Sequence, residues 1–337
     1  MQSKNRLFIT ILFLFILILL YGCKTTDNNT TDTSKKQSYS QAEYFNMAGS
    51  TAKEKKDGTR AIYYYTKAIE ADPAYIEAYL NRGEMYYYVH EGEKALADFD
   101  KVIELSPQED KAYYFKGLLF NDAGNYNKAI ENLNTAINLN DKDYEYYEAR
   151  SKIYGYLKTY DKALDNINAA IKLNSNSASL YMQKGLLYYS INKYTEAIKE
   201  YEKSIQIDPN YVQSYKGLIS IYGILEQDIE ALDLLNRAIA INPDYILYRN
   251  RGWILCKLNR YEEAIKDCTK SIKLNHINSI SYYIRGLIYL ELKLYKKAIE
   301  DFDNAIKFIT NEQLKTKQNA IKYKQKAYEA LAEMEGK

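Results

Sequence analysis

Residues 178–211 read ASLYMQKGLLYYSINKYTEAIKEYEKSIQIDPNY, and this stretch decides the fold of the 337-residue chain. Apolar side chains recur every three or four residues in each half of the stretch, which predicts two amphipathic helices. Asp208-Pro209 near its end stops the second helix, because the residue before a proline is biased away from helical backbone angles. The stretch therefore predicts a hairpin of two helices.

The same pattern recurs along the chain in eight copies, spaced 34 residues apart except for one spacing of 33 between the sixth and seventh copies. Each copy has an aromatic residue, usually a small residue four positions later, and an alanine sixteen positions later. We expect glycine on the first helix to face alanine on the second, so that the two backbones approach closely. The aromatic column is Phe45, Tyr79, Tyr113, Tyr147, Tyr181, Tyr215, Tyr248 and Tyr282. The small column is Gly49, Gly83, Gly117, Ser151, Gly185, Ile219, Gly252 and Gly286, and the alanine column is Ala61, Ala95, Ala129, Ala163, Ala197, Ala231, Ala264 and Ala298.

These columns resemble the tetratricopeptide repeat. The resemblance implies an all-α fold, an α-solenoid in which about eight helix hairpins stack into a right-handed superhelix. Stacking is needed because each hairpin has an apolar face that it cannot bury alone. The copies are predicted at residues 42–75, 76–109, 110–143, 144–177, 178–211, 212–244, 245–278 and 279–312.

Two segments depart from the regular pattern. The sixth copy has Ile219 in place of glycine and two further glycines, Gly217 and Gly223, inside its first helix. Because a glycine inside a helix costs roughly 1 kcal/mol relative to alanine, we predict that this copy is the softest joint. Residues 313–337 continue the register into a polar-backed capping helix. We expect its packed side to be formed by Ala320, Ile321, Ala327, Tyr328 and Leu331.

The beginning of the chain has the pattern of an exported protein. Lys4 and Arg6 precede an apolar run from residue 7 to residue 20, about 21 Å long as a helix and short for a hydrocarbon core of roughly 30 Å. Leu20-Tyr21-Gly22-Cys23 resembles the lipobox of bacterial lipoproteins, which implies that residues 1–22 are a signal peptide and that Cys23 carries a lipid. An uncleaved signal anchor is the alternative. Residues 23–41 are predicted to be the lipidated cysteine and a disordered tether, because they offer almost nothing to bury.

Composition argues against several classes of activity. Lys and Arg number 46 against 44 Asp and Glu, and removal of residues 1–22 would leave no net charge, so we expect no nucleic-acid binding. With two histidines in separate predicted turns (His90 and His276) and three cysteines, we expect no metal site and no cofactor. Cys256 and Cys268 are expected to be buried free thiols, with a disulfide as the alternative. No catalytic motif is found and no segment remains for a catalytic domain, so we expect no enzymatic activity.

The resemblance also implies that the first helices line a concave groove where partner peptides or proteins bind. Some family members hold acidic C-termini through a clamp of Lys, Asn and Arg, but no three consecutive copies here present that set. The lining is instead apolar and rich in tyrosine, which suits an extended or helical peptide. The candidate groove residues are Leu80, Tyr87, Tyr88, Tyr114, Leu118, Tyr156, Met182, Leu186, Tyr189, Arg249, Trp253, Tyr283 and Leu287.

Together these features predict a non-enzymatic interaction scaffold, anchored through the lipid on Cys23 to a bacterial envelope membrane. We expect the outer membrane, with the body facing the periplasm or the cell surface, rather than the inner membrane. Its partners would be other envelope proteins or peptides. The alternatives are a carrier or sensor of a small hydrophobic ligand, a pilotin-like assembly factor for an outer-membrane complex, and a homo-oligomeric structural element.

Overall fold

The computed structural model describes residues 39–310 and 314–336. The signal peptide, Cys23 and nearly all of the predicted tether lie outside these residues. Within them the chain forms 17 α-helices and no strand, an α-helical solenoid as expected. No helix in this part of the chain has the length and apolar character needed to cross a membrane.

Sixteen of the helices pair into eight hairpins, and each hairpin has a first and a second helix. The first four hairpins are α1 (Gln41–Glu54) with α2 (Gly58–Ala71), α3 (Ile76–Tyr88) with α4 (Gly92–Leu105), α5 (Asp110–Asp122) with α6 (Tyr126–Leu139), and α7 (Tyr144–Tyr156) with α8 (Tyr160–Leu173). The other four are α9 (Ala178–Ser190) with α10 (Tyr194–Ile207), α11 (Val212–Ile224) with α12 (Asp228–Ile241), α13 (Tyr245–Lys257) with α14 (Tyr261–Leu274), and α15 (Ser279–Glu291) with α16 (Tyr295–Phe308). A single longer helix, α17 (Leu314–Glu335), follows the last hairpin.

The hairpins stack in chain order. Each second helix packs on the first helix of its own hairpin and on the first helix of the next. The first helices of most neighbouring hairpins also pack directly on each other. This additional contact puts the first helices on the inner side of the stack, where a groove between repeats can form.

The glycines of the small column let the two helices of a hairpin approach closely, but the residues that pack against them are not only the expected alanines. All eight members of the alanine column are fully buried, yet a large side chain sixteen residues after the glycine fills most of the space above it. A Cβ atom added to Gly49 would lie 2.5 Å from the Tyr65 ring, and one added to Gly286 would lie 2.9 Å from the Phe302 ring. The alanine column also faces the glycines, since a Cβ atom on Gly117 would lie 3.3 Å from the Ala129 carbonyl oxygen. The expectation that glycine faces alanine was therefore incomplete, because the glycine also makes room for the side chain four residues after the alanine.

The sixth hairpin packs differently from the others. Ile219, in the glycine position, is buried in a core cluster with Leu218 and Leu234, and α11 and α12 approach each other less closely than the helices of the other hairpins. The Tyr201 ring of the fifth hairpin lies against both Gly185 and Gly217. Gly217 is thus the contact point between the fifth and sixth repeats. The softness of this joint stays a prediction.

The last helix, α17, is buried along one narrow stripe of its own surface. Ala320 and Ala327 are fully buried, as expected, but Ile321 is 51% exposed and Tyr328 is 46% exposed. The expectation that these two residues lie on the packed side was wrong. Tyr323 packs there instead, with its ring centroid 6.3 Å from that of Phe302. Each residue turns about 100° around a helix, so the neighbours of the packed alanines face outward.

Candidate functional site: a groove along the first helices

The inner side of the solenoid carries three neighbouring cavities between first helices. The acidic cavity, about 270 Å³, lies between α3, α5 and α7 and is lined by Tyr88, Tyr114, Leu118, Asn121, Glu145, Glu148, Ala149, Lys152, Ile153 and Tyr156. The central cavity, about 310 Å³, lies between α7 and α9 and is lined by Ser151, Lys152, Gly155, Tyr156, Tyr160, Gln183, Leu186, Leu187 and Ser190. The distal cavity, about 400 Å³, lies between α9 and α11 and is lined by Met182, Leu186, Tyr189, Tyr201, Gln213, Lys216, Gly217 and Ser220.

These cavities form one groove because they share walls. Lys152 and Tyr156 line both the acidic and the central cavity. Leu186 lines both the central and the distal cavity. The groove is therefore a row of adjacent cavities from the second repeat to the sixth, and such a row suits a peptide segment rather than one compact ligand.

The structure brings together seven of the thirteen residues predicted from the sequence. Three of them are strongly exposed for large apolar side chains: Tyr156 at 65%, Tyr88 at 58% and Leu186 at 50%. Exposed apolar side chains that line a common groove are typical of binding surfaces. The seven residues are Tyr88, Tyr114, Leu118, Tyr156, Met182, Leu186 and Tyr189.

Leu80 and Tyr87 lie beside the groove rather than in its cavities. Both are half-buried against the core of the second and third repeats, and the Tyr87 ring centroid lies 5.9 Å from that of Phe115. Burial raises the pKa of Tyr87 to about 12, and Asp122, which accepts a hydrogen bond from the phenol, contributes to the increase. This tyrosine therefore remains protonated at neutral pH and donates its hydrogen bond to the Asp122 carboxylate.

The remaining four predicted residues lie apart from the three cavities. Trp253 is 43% exposed on α13, and the Arg249 guanidinium donates hydrogen bonds to Asn250. Tyr283 and Leu287 pack against the core that α17 completes, with 6.4 Å between the ring centroids of Tyr283 and Tyr323. Their participation in binding stays a prediction.

The acidic cavity holds an unpaired carboxylate. Glu148 pairs with Lys152 at 2.7 Å between Oε1 and Nζ, but Glu145 forms no salt bridge with any residue that the structure describes. Burial raises the pKa of Glu145, the negative charges of Asp143 and Glu148 raise it further, and Lys111 opposes the increase. The Glu145 side chain is exposed, and within the described residues no cation lies at salt-bridge distance from its carboxylate.

Two amide oxygens beside these groups also have no partner. Asn121 Oδ1 and Gln183 Oε1 are buried and accept no hydrogen bond within the described residues, although both amide nitrogens donate, Asn121 to Asp122 and Gln183 to Glu148. Asn121 lines the acidic cavity and Gln183 lines the central cavity. The groove therefore presents several acceptors that lack donors.

The thirteen groove residues predicted from the sequence did not include Glu145 and Gln183. A signal for Glu145 was present, because it lies three residues before Glu148 and thus one turn away on the same helix face. Gln183 gave no such signal, since its role depends on the distance between α7 and α9. That distance is set by packing between repeats.

Comparison with known proteins supports the repeat assignment. Tetratricopeptide-repeat sequence models match residues 42–75, 110–143 and 280–311 and residues 246–278, and a model described as a TPR repeat matches residues 185–218. These segments are tetratricopeptide repeats. The match to 185–218 begins within α9 and ends within α11, so it spans the contact between the fifth and sixth hairpins. No curated protein sequence matches the chain.

Solved structures of tetratricopeptide-repeat proteins share the fold. Tom70 of yeast is 17% identical, with a TM-score of 0.54, and the match covers 90% of this chain and 67% of that one. The pilF protein of Pseudomonas aeruginosa is also 17% identical, with a TM-score of 0.55, and the match covers 62% of this chain and 95% of that one. YrrB, described as a TPR protein with an unusual peptide-binding site, is 26% identical over 54% of this chain and 94% of that one, with a TM-score of 0.45. The Tom70 and pilF matches show a shared fold and nothing further.

Proposed function

We propose that this tetratricopeptide-repeat chain is a non-catalytic scaffold that binds partner peptides in the groove of its first helices. The observation that carries the proposal is that the acidic, central and distal cavities are adjacent and share Tyr156 and Leu186 as lining residues. Aromatic anchors at the centre of an interface usually provide much of its affinity. Tyr156 and Leu186 stand at that centre.

We further propose that a lipid on Cys23 holds the scaffold at a bacterial envelope membrane, at the outer membrane rather than the inner one. The Leu20-Tyr21-Gly22-Cys23 sequence supports the lipid, and the polar composition of residues 24–40 supports a tether between anchor and solenoid. The partners would then be envelope proteins that present a peptide segment near the membrane.

In-cell crosslinking tests the groove. Leu186→Ser removes an anchor that is 50% exposed in the groove, and the control Leu274→Ser removes an equally exposed leucine from a second helix. We expect crosslinked partners to be lost from Leu186→Ser and retained by Leu274→Ser. The same partners on both variants would contradict the groove assignment.

Metabolic labelling tests the anchor separately. We expect labelled palmitate to be incorporated into the wild-type chain and not into Cys23→Ala, which should also retain residues 1–22. Equal labelling of both proteins, or none in either, would contradict a lipid on Cys23.

The central cavity favours one alternative, a carrier of a small hydrophobic ligand. Its volume of about 310 Å³ and its lining by Tyr156, Leu186 and Leu187 fall in the range of small-molecule pockets. Native mass spectrometry of the purified chain distinguishes the two functions. A stoichiometric bound lipid would favour the carrier, and an empty chain that binds peptides would favour the scaffold.

A further inference from the structure

We propose that the groove selects a peptide segment in which a lysine or arginine lies close to an apolar residue. The cation would occupy the acidic cavity and the apolar side chain would occupy the central cavity. This inference rests on the proposed scaffold function and names the chemistry of its partner.

The acidic cavity has the charge that such a partner requires. Glu145 is unpaired, while the Glu148 carboxylate already binds Lys152 at 2.7 Å. Two carboxylates, Glu145 and Glu148, line the cavity with one ammonium group, that of Lys152. An incoming cation would therefore reduce the repulsion between the two carboxylates. A partner carboxylate would increase that repulsion, so the cavity favours a basic segment over an acidic one.

The tyrosines of the same cavity also suit a cation. Tyr88 and Tyr114 line it, and an ammonium or guanidinium group is attracted to the face of an aromatic ring. The solenoid uses this contact within its own fold, since the Arg82 guanidinium lies 5.6 Å from the Tyr79 ring centroid. Partly desolvated rings next to a carboxylate therefore favour a cationic side chain over a neutral one.

The hydrogen-bonding groups of the cavity point to the same conclusion. The Glu145 carboxylate and the unpartnered Asn121 Oδ1 are acceptors. Lysine and arginine side chains carry only donors, whereas aspartate and glutamate side chains carry only acceptors when ionised. A donor-only side chain is thus the complement of this site.

The adjoining central cavity explains why an apolar residue should lie nearby. Tyr156 belongs to both cavities, and Leu186 and Leu187 form the next wall. Because the two cavities share Tyr156, the cation and the apolar side chain of the partner must lie only a few residues apart. An extended strand advances about 3.3 Å per residue, so neighbouring cavities can be reached within one short segment.

Selection from a random library of displayed dodecapeptides tests the proposal on the full chain purified in mild detergent. We expect the selected peptides to be enriched in lysine or arginine within a few positions of leucine, methionine or phenylalanine. Selected peptides that lose binding to Leu186→Ser but show no basic enrichment, or an acidic one, would overturn this inference and leave the scaffold function standing. Failure to select any peptide would overturn both.

Two matched variants then locate the charge. Glu145→Gln removes the unpaired carboxylate of the groove, and Glu131→Gln removes an exposed carboxylate from the second helix α6. By fluorescence anisotropy with one selected basic peptide, we expect about a fivefold increase in Kd for Glu145→Gln and no change for Glu131→Gln. The increase should vanish when the basic residue of the peptide is replaced by glutamine. Equal Kd values for Glu145→Gln and the wild type, or an increase that persists with the neutral peptide, would overturn the proposal.

Discussion

Arg285 and Asp301 form a two-pronged salt bridge between the helices of the eighth repeat, in which Nε and Nη2 each donate to a carboxylate oxygen at 2.8 Å. Asp301 is only 3% exposed. Burial raises the pKa of its carboxyl, and Arg285 opposes that increase without cancelling it. Arg82 with Asp98 and Arg251 with Asp267 repeat the same geometry.

The sixth repeat replaces this pair with two leucines. Leu218 and Leu234 stand at the equivalent positions, and both are buried. The fold therefore accepts either a salt bridge or an apolar pair at this place, and in the fourth repeat the Arg150 Nε instead donates to Oδ1 of the neutral Asn166 at 2.7 Å.

Replacement of Asp301 alone is expected to destabilise the protein strongly. Asp301→Leu leaves the Arg285 guanidinium buried without its partner, which should lower the free energy of unfolding by about 3–5 kcal/mol. The double variant Arg285→Leu/Asp301→Leu recreates the pair of the sixth repeat and should recover most of that loss. Urea unfolding followed by circular dichroism measures both. A double variant as unstable as Asp301→Leu would show that the equivalence with the sixth repeat is wrong.

Two glycines of α11 should respond in opposite directions to alanine. A Cβ atom on Gly217 would lie 2.5 Å from the Tyr201 ring, whereas one on Gly223 would meet nothing within 4 Å. We expect Gly217→Ala to destabilise the protein by about 1–3 kcal/mol through overpacking. Gly223→Ala should stabilise it by roughly 0.5–1 kcal/mol, because alanine favours a helix interior. Thermal unfolding measures the melting temperature of each variant relative to the wild type. Melting temperatures that change in the same direction for both variants would contradict the packing described.

The cap of α13 should make stability depend on pH. Asp244 accepts a hydrogen bond from the Leu247 N–H at 2.8 Å and binds Lys216 Nζ at 2.6 Å. Burial by itself would raise the pKa of Asp244, but these bonds outweigh it and lower the pKa. Its stabilising contribution is therefore complete above the unfolded pKa of about 3.9 and is lost as the pH falls through the lower folded value.

Asp244→Ala tests that dependence. The variant should lose about 0.5–2 kcal/mol at pH 7, and its difference from the wild type should shrink at strongly acidic pH. Asp57→Ala is the control, because Asp57 caps α2 by accepting from the Arg60 N–H without binding a lysine. A difference for Asp244→Ala that stays constant down to acidic pH would contradict the ionised cap.

The ionised Glu145 carboxylate is expected to lower the free energy of unfolding at neutral pH. Its raised pKa means that the folded state disfavours the ionised carboxylate, so the penalty is present above the folded pKa and disappears below the unfolded pKa of about 4.3. Glu145→Gln should therefore melt slightly above the wild type at pH 7 and equally at acidic pH. Lower stability of Glu145→Gln at neutral pH would show that the carboxylate serves the fold instead of a ligand.

The repeat architecture could be predicted because its signals are local. The aromatic, small and alanine columns recur in phase, and helical spacing follows from neighbouring residues such as Tyr194, Ala197 and Ile198. The partner of each glycine was missed because its column varies between residues as different as Tyr65, Leu133 and Cys268. These side chains look unrelated in sequence, but each fills the same space.

The groove could be predicted only in part. Tyrosines, leucines and Met182 on the first helices were found by register, and seven of these residues line the three cavities. Glu145 and Gln183 were missed because their importance comes from groups on other helices. Trp253 was placed in the groove by the same register, which says nothing about its distance from the cavities of the earlier repeats.

The amino-acid sequence by itself determined the hairpins, their number and their order, because helix formation and the need to bury an apolar face act over a few tens of residues. Only the tertiary structure decided which first-helix side chains share a cavity, which carboxylate stays unpaired and which stripe of α17 packs. Those properties depend on distances between helices of different repeats. The distances follow from how large side chains such as Tyr201 fit against glycines of their own and the next hairpin.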